Sequence, residues 1–125
     1  MLNLSHKKPD VYLLSLKLVK EIYLVTGKFP QEEKYVLVNQ LRRAAISVCS
    51  NIAEGAARRS KQEKKRFYEI SRSSAVETDT QFEIALLLEY IKNIQITDIE
   101  QNLESVFRML SKMIDNLENQ SPTRP

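Results

Sequence analysis

The sequence predicts an all-α protein, an antiparallel four-helix bundle with up-down-up-down connectivity. Its 125 residues include only two glycines and four prolines, too few turn formers for a fold of many short strands. Hydrophobic residues make up 42% of the chain and charged residues 28%, a mixture too apolar for disorder. Apolar residues recur at helical spacing in long segments that short breaks separate. A chain of this length has room for one domain with one hydrophobic core.

The first helix is predicted from about Asp10 to Thr26. Apolar residues follow one another at intervals of three and four along it, and Gly27 then supplies a stop. Residues 1–9 precede this helix and are mostly polar. They contain the single histidine, His6, and we expect them to form a flexible leader outside the domain.

The second and third helices are predicted to be long. The second runs from near Gln31 to between Gly55 and Arg58, with no proline inside it. The third is predicted from Ser60 to about Tyr90, because Ser-Lys-Gln-Glu at its start matches a capping box. In that motif the serine and the glutamate each satisfy a free backbone amide of the first turn. Short connections between the helices favour antiparallel neighbours.

The fourth helix is predicted from Thr97 to near Asn119. Thr-Asp-Ile-Glu at its start repeats the capping pattern. Its apolar positions keep an a/d spacing over five intervals, namely Ile99, Leu103, Val106, Leu110, Met113 and Leu117. Residues 120–125 contain two prolines and are expected to form a flexible tail, so the predicted four-helix-bundle domain spans residues 10–119.

The second helix carries two apolar stripes, whereas a surface helix of a single bundle needs only one. The stripes are Leu37, Leu41, Ala44, Val48 and Ile52 on one side, and Val38, Ala45, Cys49 and Ala56 on another. Either this helix lies deep between its own neighbours, or the second stripe packs against another copy of the chain. We favour assembly into an oligomer.

Polar residues share one face of the second helix, and the third helix carries an answering line. The predicted structural polar network contains Arg43, Ser47, Asn51, Glu54, Glu77 and Gln81. Short polar side chains are poor helix formers, so a cluster of them indicates hydrogen bonds that fix the register of the two helices. An active site is the alternative interpretation of the same residues.

Catalytic motifs are missing from the sequence. No histidine follows residue 6, which excludes a ferritin-like di-iron site and a nucleophile with a histidine base. Neither glycine belongs to a phosphate-binding loop. We therefore predict no catalytic residues, no enzymatic activity, no metal site and no cofactor.

Charge is strongly segregated along the chain. Residues 58–72 hold seven bases and two acids (+5), whereas residues 76–119 hold three bases and nine acids (−6). A basic stripe with an aromatic residue at a helix start favours phosphate binding. The candidate nucleic-acid-binding residues are Arg58, Arg59, Lys61, Lys64, Lys65, Tyr68 and Arg72. A solvated lysine-rich face of an ordinary bundle is the alternative.

The sequence also bears on the compartment. A single cysteine, Cys49, cannot form an intramolecular disulfide, which suits a reducing environment. The longest uninterrupted aliphatic run is Ile84 to Leu88, far short of the roughly 20 residues that a membrane-spanning helix needs. We expect a cytoplasmic protein with no membrane segment.

The second and third helices carry a family resemblance. Residues 35–58 read YVLVNQLRRAAISVCSNIAEGAAR, and this segment closely resembles the signature helix of the four-helix-bundle family encoded by intervening sequences in bacterial large-subunit ribosomal RNA genes. The resemblance continues to Ile91 and covers roughly residues 10–92. The sequence departs from the family at Cys49, where proline is usual, and at Ser73 and Glu89, where glycine is usual. Without the proline, the second helix should be straighter than in relatives.

The resemblance implies a homopentameric ring with no known enzymatic activity. It also implies a distant likeness to the accessory protein of diversity-generating retroelements, which binds nucleic acid and a reverse transcriptase. Our leading hypothesis is an oligomeric bundle that binds RNA or DNA through a basic segment repeated around the ring. The alternative is a protein-interaction adaptor, for example for a reverse transcriptase, without direct nucleic-acid binding.

Overall fold

Four α-helices account for most of residues 10–119, the part of the chain that the computed structural model describes. They are α1 (Asp10–Thr26), α2 (Leu37–Ala57), α3 (Lys61–Leu87) and α4 (Thr97–Asn119). Short 3₁₀ turns, Gln31–Glu33 and Asn93–Ile96, lie in the first and third connections. No strand occurs within residues 10–119, which confirms the all-α prediction. The predicted leader and tail lie outside the described residues.

The helices pack in a closed cycle in which α2 and α4 each contact both α1 and α3. Paired residues run in opposite directions along α2 and α3: Gln40 bonds to Gln81 near one end, and Ser47 bonds to Ser74 further along. The buried core lies between the four helices. Its fully buried members include Leu18, Ile22, Leu41, Ile52, Ile96, Val106 and Leu110.

Helix α1 has the predicted bounds, and a residue from α2 completes its C-terminal end. The side chain of Arg42 donates to the hydroxyl of Thr26 (3.0 Å) and to the carbonyl of Tyr23 (3.2 Å). Its guanidinium also lies over the Tyr23 ring, 4.3 Å from the centroid. The Tyr23 carbonyl also accepts from the Gly27 amide (3.2 Å), so Arg42 adds a second, charged donor at the negative end of the α1 dipole and joins α1 to α2.

Helix α2 begins six residues later than predicted. Residues 31–33 form a 3₁₀ turn, and Val36 has φ −117° and ψ −96°, outside the helical region. The carboxylate of Glu33 explains the delay, because it accepts from the Leu37 amide (3.4 Å) and from the Tyr90 hydroxyl (3.0 Å). This hydrogen bond to Glu33 is the main cause that raises the pKa of Tyr90. The contact joins the first and third connections at one end of the bundle.

Both apolar stripes of α2 are buried inside one chain. In the second stripe, Val38, Ala45 and Cys49 are all at least nine-tenths buried, and only Ala56 is partly exposed. Burial raises the pKa of the Cys49 thiol. The interpretation of the second stripe as an assembly surface is therefore wrong, because α2 lies between α1 and α3 and needs both stripes for its own neighbours.

Helix α3 ends three residues before the predicted end, at a left-handed residue. Glu89 has φ 61°, and the Tyr90 amide donates to the Ala85 carbonyl (2.9 Å) while the Glu89 amide donates to the Leu86 carbonyl (3.0 Å). This pattern is a Schellman cap, which usually has glycine at the left-handed position. With glutamate at this position, no local signal predicted the end of the helix.

Helix α4 has the predicted bounds, but its start and its buried face differ in detail. The Thr97 hydroxyl donates to the Asn93 carbonyl (3.2 Å) of the preceding turn, so it does not cap α4 in the predicted way. Ile99, Leu103, Val106 and Leu110 are buried as predicted, and Ile114 then replaces Met113 as the next buried residue. This change is expected because a straight α-helix has about 3.6 residues per turn, so its buried face moves gradually away from a strict seven-residue repeat.

Candidate nucleic-acid interface

The basic segment occupies the junction between α2 and α3. Helix α2 ends at Ala57, and Arg58 turns the chain into an extended conformation. The hydroxyl of Ser60 then accepts from the Glu63 amide (3.1 Å), so Ser60 is the N-cap of α3 as the motif predicted. The tight junction places the basic residues at one end of the bundle, around the first turns of α3.

Lys64 joins the first turn of α3 to the C-terminal end of α2. Its ammonium group donates to the Gly55 carbonyl (3.4 Å) and to the Ala56 carbonyl (3.0 Å), both in the last turn of α2. The Gly55 carbonyl also accepts from the Arg58 amide (3.2 Å), and both carbonyls lie at the negative end of the helix dipole, where a cation is stabilising. The structure therefore gives Lys64 a capping role within the chain.

Lys65 and Arg72 point towards α4. Lys65 forms an ion pair with Glu118 (2.6 Å), and this hydrogen bond raises the pKa of Lys65. Arg72 donates to the Ser111 hydroxyl (3.1 Å) and lies 5.9 Å from the centroid of Phe107. Both cations join α3 to α4, so two of the predicted binding residues already have partners in the fold.

Tyr68 belongs to the core and not to the exposed stripe. Its side chain is buried and packs against α2 at Gly55, where a Cβ atom would lie 2.6 Å from the Tyr68 Cε1 atom. Burial raises the pKa of the Tyr68 phenol. The prediction that Tyr68 stands in an accessible basic stripe is wrong, because its helical position faces α2.

Four cations remain exposed at the junction. Arg59 and Lys61 form no hydrogen bond or ion pair with any residue of the described range 10–119. Arg58 and Arg66 lie over the ring of Phe67, at 4.8 and 5.4 Å from its centroid. Arg58 also pairs with Glu54 (2.8 Å). Both partners are well exposed, and such a pair contributes little to stability. A phosphate could therefore displace Glu54 at low cost.

The predicted polar network is present in part, between the middle of α2 and the middle of α3. The hydroxyls of Ser47 and Ser74 are 2.8 Å apart, and the Asn51 amide donates to the Ser47 hydroxyl (3.1 Å) and carbonyl (2.9 Å). The Ser71 hydroxyl donates to the Val48 carbonyl (2.7 Å). These bonds connect two helix interiors at close range, as a register-fixing cluster would.

The other predicted network members lie apart from this cluster. The Gln81 amide donates to the Gln40 side chain (3.3 Å), while its own buried oxygen has no hydrogen-bond partner among the described residues. Glu54 is engaged with Arg58. Arg43 and Glu77 line one groove between α2 and α3. They form no hydrogen bond or ion pair within residues 10–119.

Comparison with known proteins identifies the family. Residues 7–112 match the family described as the 23S rRNA-intervening sequence protein, which is most of the chain. The chain belongs to this family. The family resemblance stated from the sequence is thereby confirmed. No curated protein matches the chain at a significant level.

The fold of this family member is similar to that of a solved protein of unknown function. It is described as belonging to the S23 ribosomal protein family from Bacteroides thetaiotaomicron VPI-5482. The two share 24% sequence identity with a TM-score of 0.77, over 84% of this chain and 95% of the solved chain. Neither the matched family nor this neighbour carries a described enzymatic activity.

Residues 10–119 contain neither a candidate metal site nor a helix that could span a membrane. No group of three or more His, Cys, Asp or Glu side chains in this range could hold a metal ion. In the same range, no helix combines the length and the apolar character needed to cross a membrane.

Arg66 and Phe67 lie at the junction but were not among the candidate residues predicted from the sequence. Arg66 lies within the basic segment, residues 58–72, but outside the predicted basic stripe, which follows Lys61, Lys65, Tyr68 and Arg72 at intervals of four, three and four. Phe67 lies one position before Tyr68 and faces the two arginines. The sequence carries only part of this signal: Phe67 follows Arg66 directly and Glu63 by four residues, beside the exposed first turn of α3. Its contact with Arg58 depends on the turn between α2 and α3.

Proposed function

We propose that this protein is a non-catalytic, cytoplasmic, up-down-up-down bundle that assembles as a homopentameric ring and binds RNA or another nucleic acid. The observation that carries the proposal is the group of four exposed cations at the α2–α3 junction: Arg58, Arg59, Lys61 and Arg66. Of these, only Arg58 has an acidic partner within the described residues. Four cations at one end of each chain, repeated around a ring, would form a strongly positive surface.

Phosphate is the ligand group that this arrangement suits. Arginine and lysine neutralise backbone phosphates without reading sequence, and each neutralised phosphate releases counterions. The Phe67 ring orders two guanidinium groups by cation–π contacts, which reduces the entropy they lose on binding. Repetition around a ring multiplies weak individual contacts into useful affinity. We expect binding with little sequence preference.

The test measures binding of fluorescently labelled single-stranded and duplex RNA by anisotropy over a range of salt concentrations. The double variant Arg59→Glu, Lys61→Glu should bind about tenfold more weakly or worse, with a flatter dependence of log affinity on log salt. The matched control, Lys28→Glu with Lys92→Glu, makes the same charge change at two exposed lysines in the first and third connections, at the end of the bundle opposite the junction. It should bind nearly as well as the unaltered protein.

Equal loss in the two double variants would mean that net charge, and not the junction, governs binding. Failure of the unaltered protein to bind either RNA at low salt would overturn the nucleic-acid proposal. The adaptor hypothesis would then replace it.

A specific observation favours the adaptor hypothesis as a second candidate: Tyr35, Leu87 and Ile94 are about four-fifths exposed at or beside the two connections that Glu33 and Tyr90 join. Exposed apolar groups of this kind are typical of protein-binding surfaces.

A further inference from the structure

Helix α1 has a second apolar face, which points away from the bundle. Leu13, Leu16 and Leu24 are 53%, 44% and 66% exposed, although Leu18 and Ile22 on the opposite face are fully buried. Exposed Lys17 and Lys20 lie on the same outward face. A helix that is apolar on both sides indicates a partner beyond its own bundle.

A groove between α3 and α4 has complementary chemistry. Its volume is about 410 Å³, and its floor contains buried Ala75 and Leu103. Its walls are the half-exposed side chains of Val76 and Phe107. The rim is acidic, with exposed Asp79, Glu100 and Glu104. Within residues 10–119, only Glu104 of these three carboxylates has an ion-pair partner, Arg108.

We propose that the outward face of α1 in one copy of this chain docks into the α3–α4 groove of a second copy. The inference rests on the proposed assembly and names its interface. Leucines of α1 would cover the apolar floor, and Lys17 and Lys20 would meet Asp79 and Glu100 on the rim. This is the usual arrangement for a helix in an apolar groove with complementary charges at its edge.

The dimensions agree. Leu13 and Lys20 are seven residues apart on α1, and Glu100 and Phe107 are seven apart on α4. At a rise of 1.5 Å per residue, each segment spans about 10 Å. Two turns of α1, from Leu13 to Lys20, therefore match the length of α4 that lines the groove, and Leu24 lies one turn beyond it.

The two docking surfaces differ, so each copy would offer one of each. Such a head-to-tail contact repeats from copy to copy and closes into a ring when the rotation allows it. A two-fold dimer, by contrast, would pair like surfaces. A head-to-tail interface of this kind is consistent with the ring assembly proposed above and leaves the junction cations of every copy free.

The experiment uses one variant for each surface. Leu13→Glu with Leu16→Glu alters the α1 face, and Asp79→Lys with Glu100→Lys alters the groove. We expect each double variant to have the mass of one chain by light scattering, with unchanged helix content, because all four side chains are exposed. A mixture of the two variants should form a one-to-one pair, since one intact α1 face and one intact groove remain. Glu32→Lys with Asp115→Lys makes the same charge change at two exposed carboxylates outside the α1 face and the groove, so this control should assemble normally.

The outcomes separate this interface from the proposed function. If the unaltered protein has the mass of one chain, both the ring and its interface are overturned. If it assembles and either double variant keeps that mass, only the interface assignment fails. It also fails if the two variants are monomeric but do not pair when mixed. If the unaltered protein assembles but does not bind RNA, the nucleic-acid proposal is overturned and this interface is left intact.

Discussion

At the scale of single residues, the contact between Gly55 and Tyr68 fixes how closely α2 and α3 approach. The Tyr68 ring lies where a side chain on Gly55 would be, and the Lys64 carbonyl is also within 3.2 Å of that position. The lysine that caps α2 is in the same turn of α3 as this contact. One glycine therefore allows both the burial of Tyr68 and the tight junction that carries the exposed cations.

Gly55→Ala should lower the free energy of unfolding by about 1–3 kcal/mol, because the added methyl group overpacks the site. This range is the net effect: alanine is intrinsically better than glycine in a helix by about 1 kcal/mol, and that gain offsets only part of the cost of overpacking. Urea denaturation measures the result. Gly27→Ala is the matched control, since its Cβ would meet only ordinary contacts at 3.5 Å or beyond, and it should be nearly neutral. Equal effects of the two substitutions would contradict the packing argument.

At the scale of helices, the C-terminal end of α3 stores backbone strain. Glu89 adopts φ 61°, a conformation that costs a residue with a side chain about 1–2 kcal/mol. The resemblance to the family says that glycine is usual at this position, and the Schellman geometry gives the physical reason. The hydrogen bonds from Tyr90 to Ala85 and from Glu89 to Leu86 hold the cap in place despite the unfavourable residue.

Glu89→Gly should therefore stabilise the protein by about 1 kcal/mol, as glycine tolerates the left-handed region. A shift of the urea midpoint at constant slope would report the gain. Glu83→Gly provides the comparison, because it places glycine in the exposed helical part of α3, and we expect it to destabilise by about 1 kcal/mol. A loss of stability in Glu89→Gly would show that this backbone position carries no strain.

At the scale of the whole molecule, the two apolar stripes of α2 are internal, and the most exposed large apolar side chains lie on α1 and at or beside the connections, for example Leu24, Tyr35, Leu87 and Ile94. Ala45 is only 3% exposed and belongs to the core of the single chain. We expect Ala45→Glu to destabilise the fold by more than about 3 kcal/mol, because it buries an unpaired charge. Circular dichroism during thermal unfolding should show a large drop in melting temperature. An assembly defect with an unchanged melting temperature would instead place Ala45 at an interface between copies.

The packing of the helices explains why several cations of the basic segment, residues 58–72, have partners inside the fold. Lys65 and Arg72 reach α4, and Lys64 reaches the end of α2. Each of these contacts stabilises the arrangement of neighbouring helices, so charge reversal at Lys64 or Lys65 would disturb the fold as well as any binding. For this reason Arg59 and Lys61 are the better positions at which to test nucleic-acid binding.

Local patterns in the sequence were enough to predict the helical class, the family, the bounds of α1 and α4 and the start of α3. These features depend on local signals: apolar spacing, Gly27 at one helix end, and the serine at the start of α3. The start of α2 and the end of α3 differ from the prediction, because the local signals there were missing or misleading. The start of α2 depends on the contact of Glu33 with Tyr90, 57 residues away, and the end of α3 depends on a glutamate in a glycine conformation.

The direction of each side chain in the candidate site depends on the packing of the four helices and could not be predicted from local patterns. Seven residues were predicted from charge and spacing, but Tyr68 faces Gly55, Lys64 caps α2, and Lys65 pairs with Glu118. The tertiary structure also decided that both stripes of α2 are internal. The physical reason is that local spacing places residues on a helix face, whereas the partner of that face comes from helices distant in the sequence.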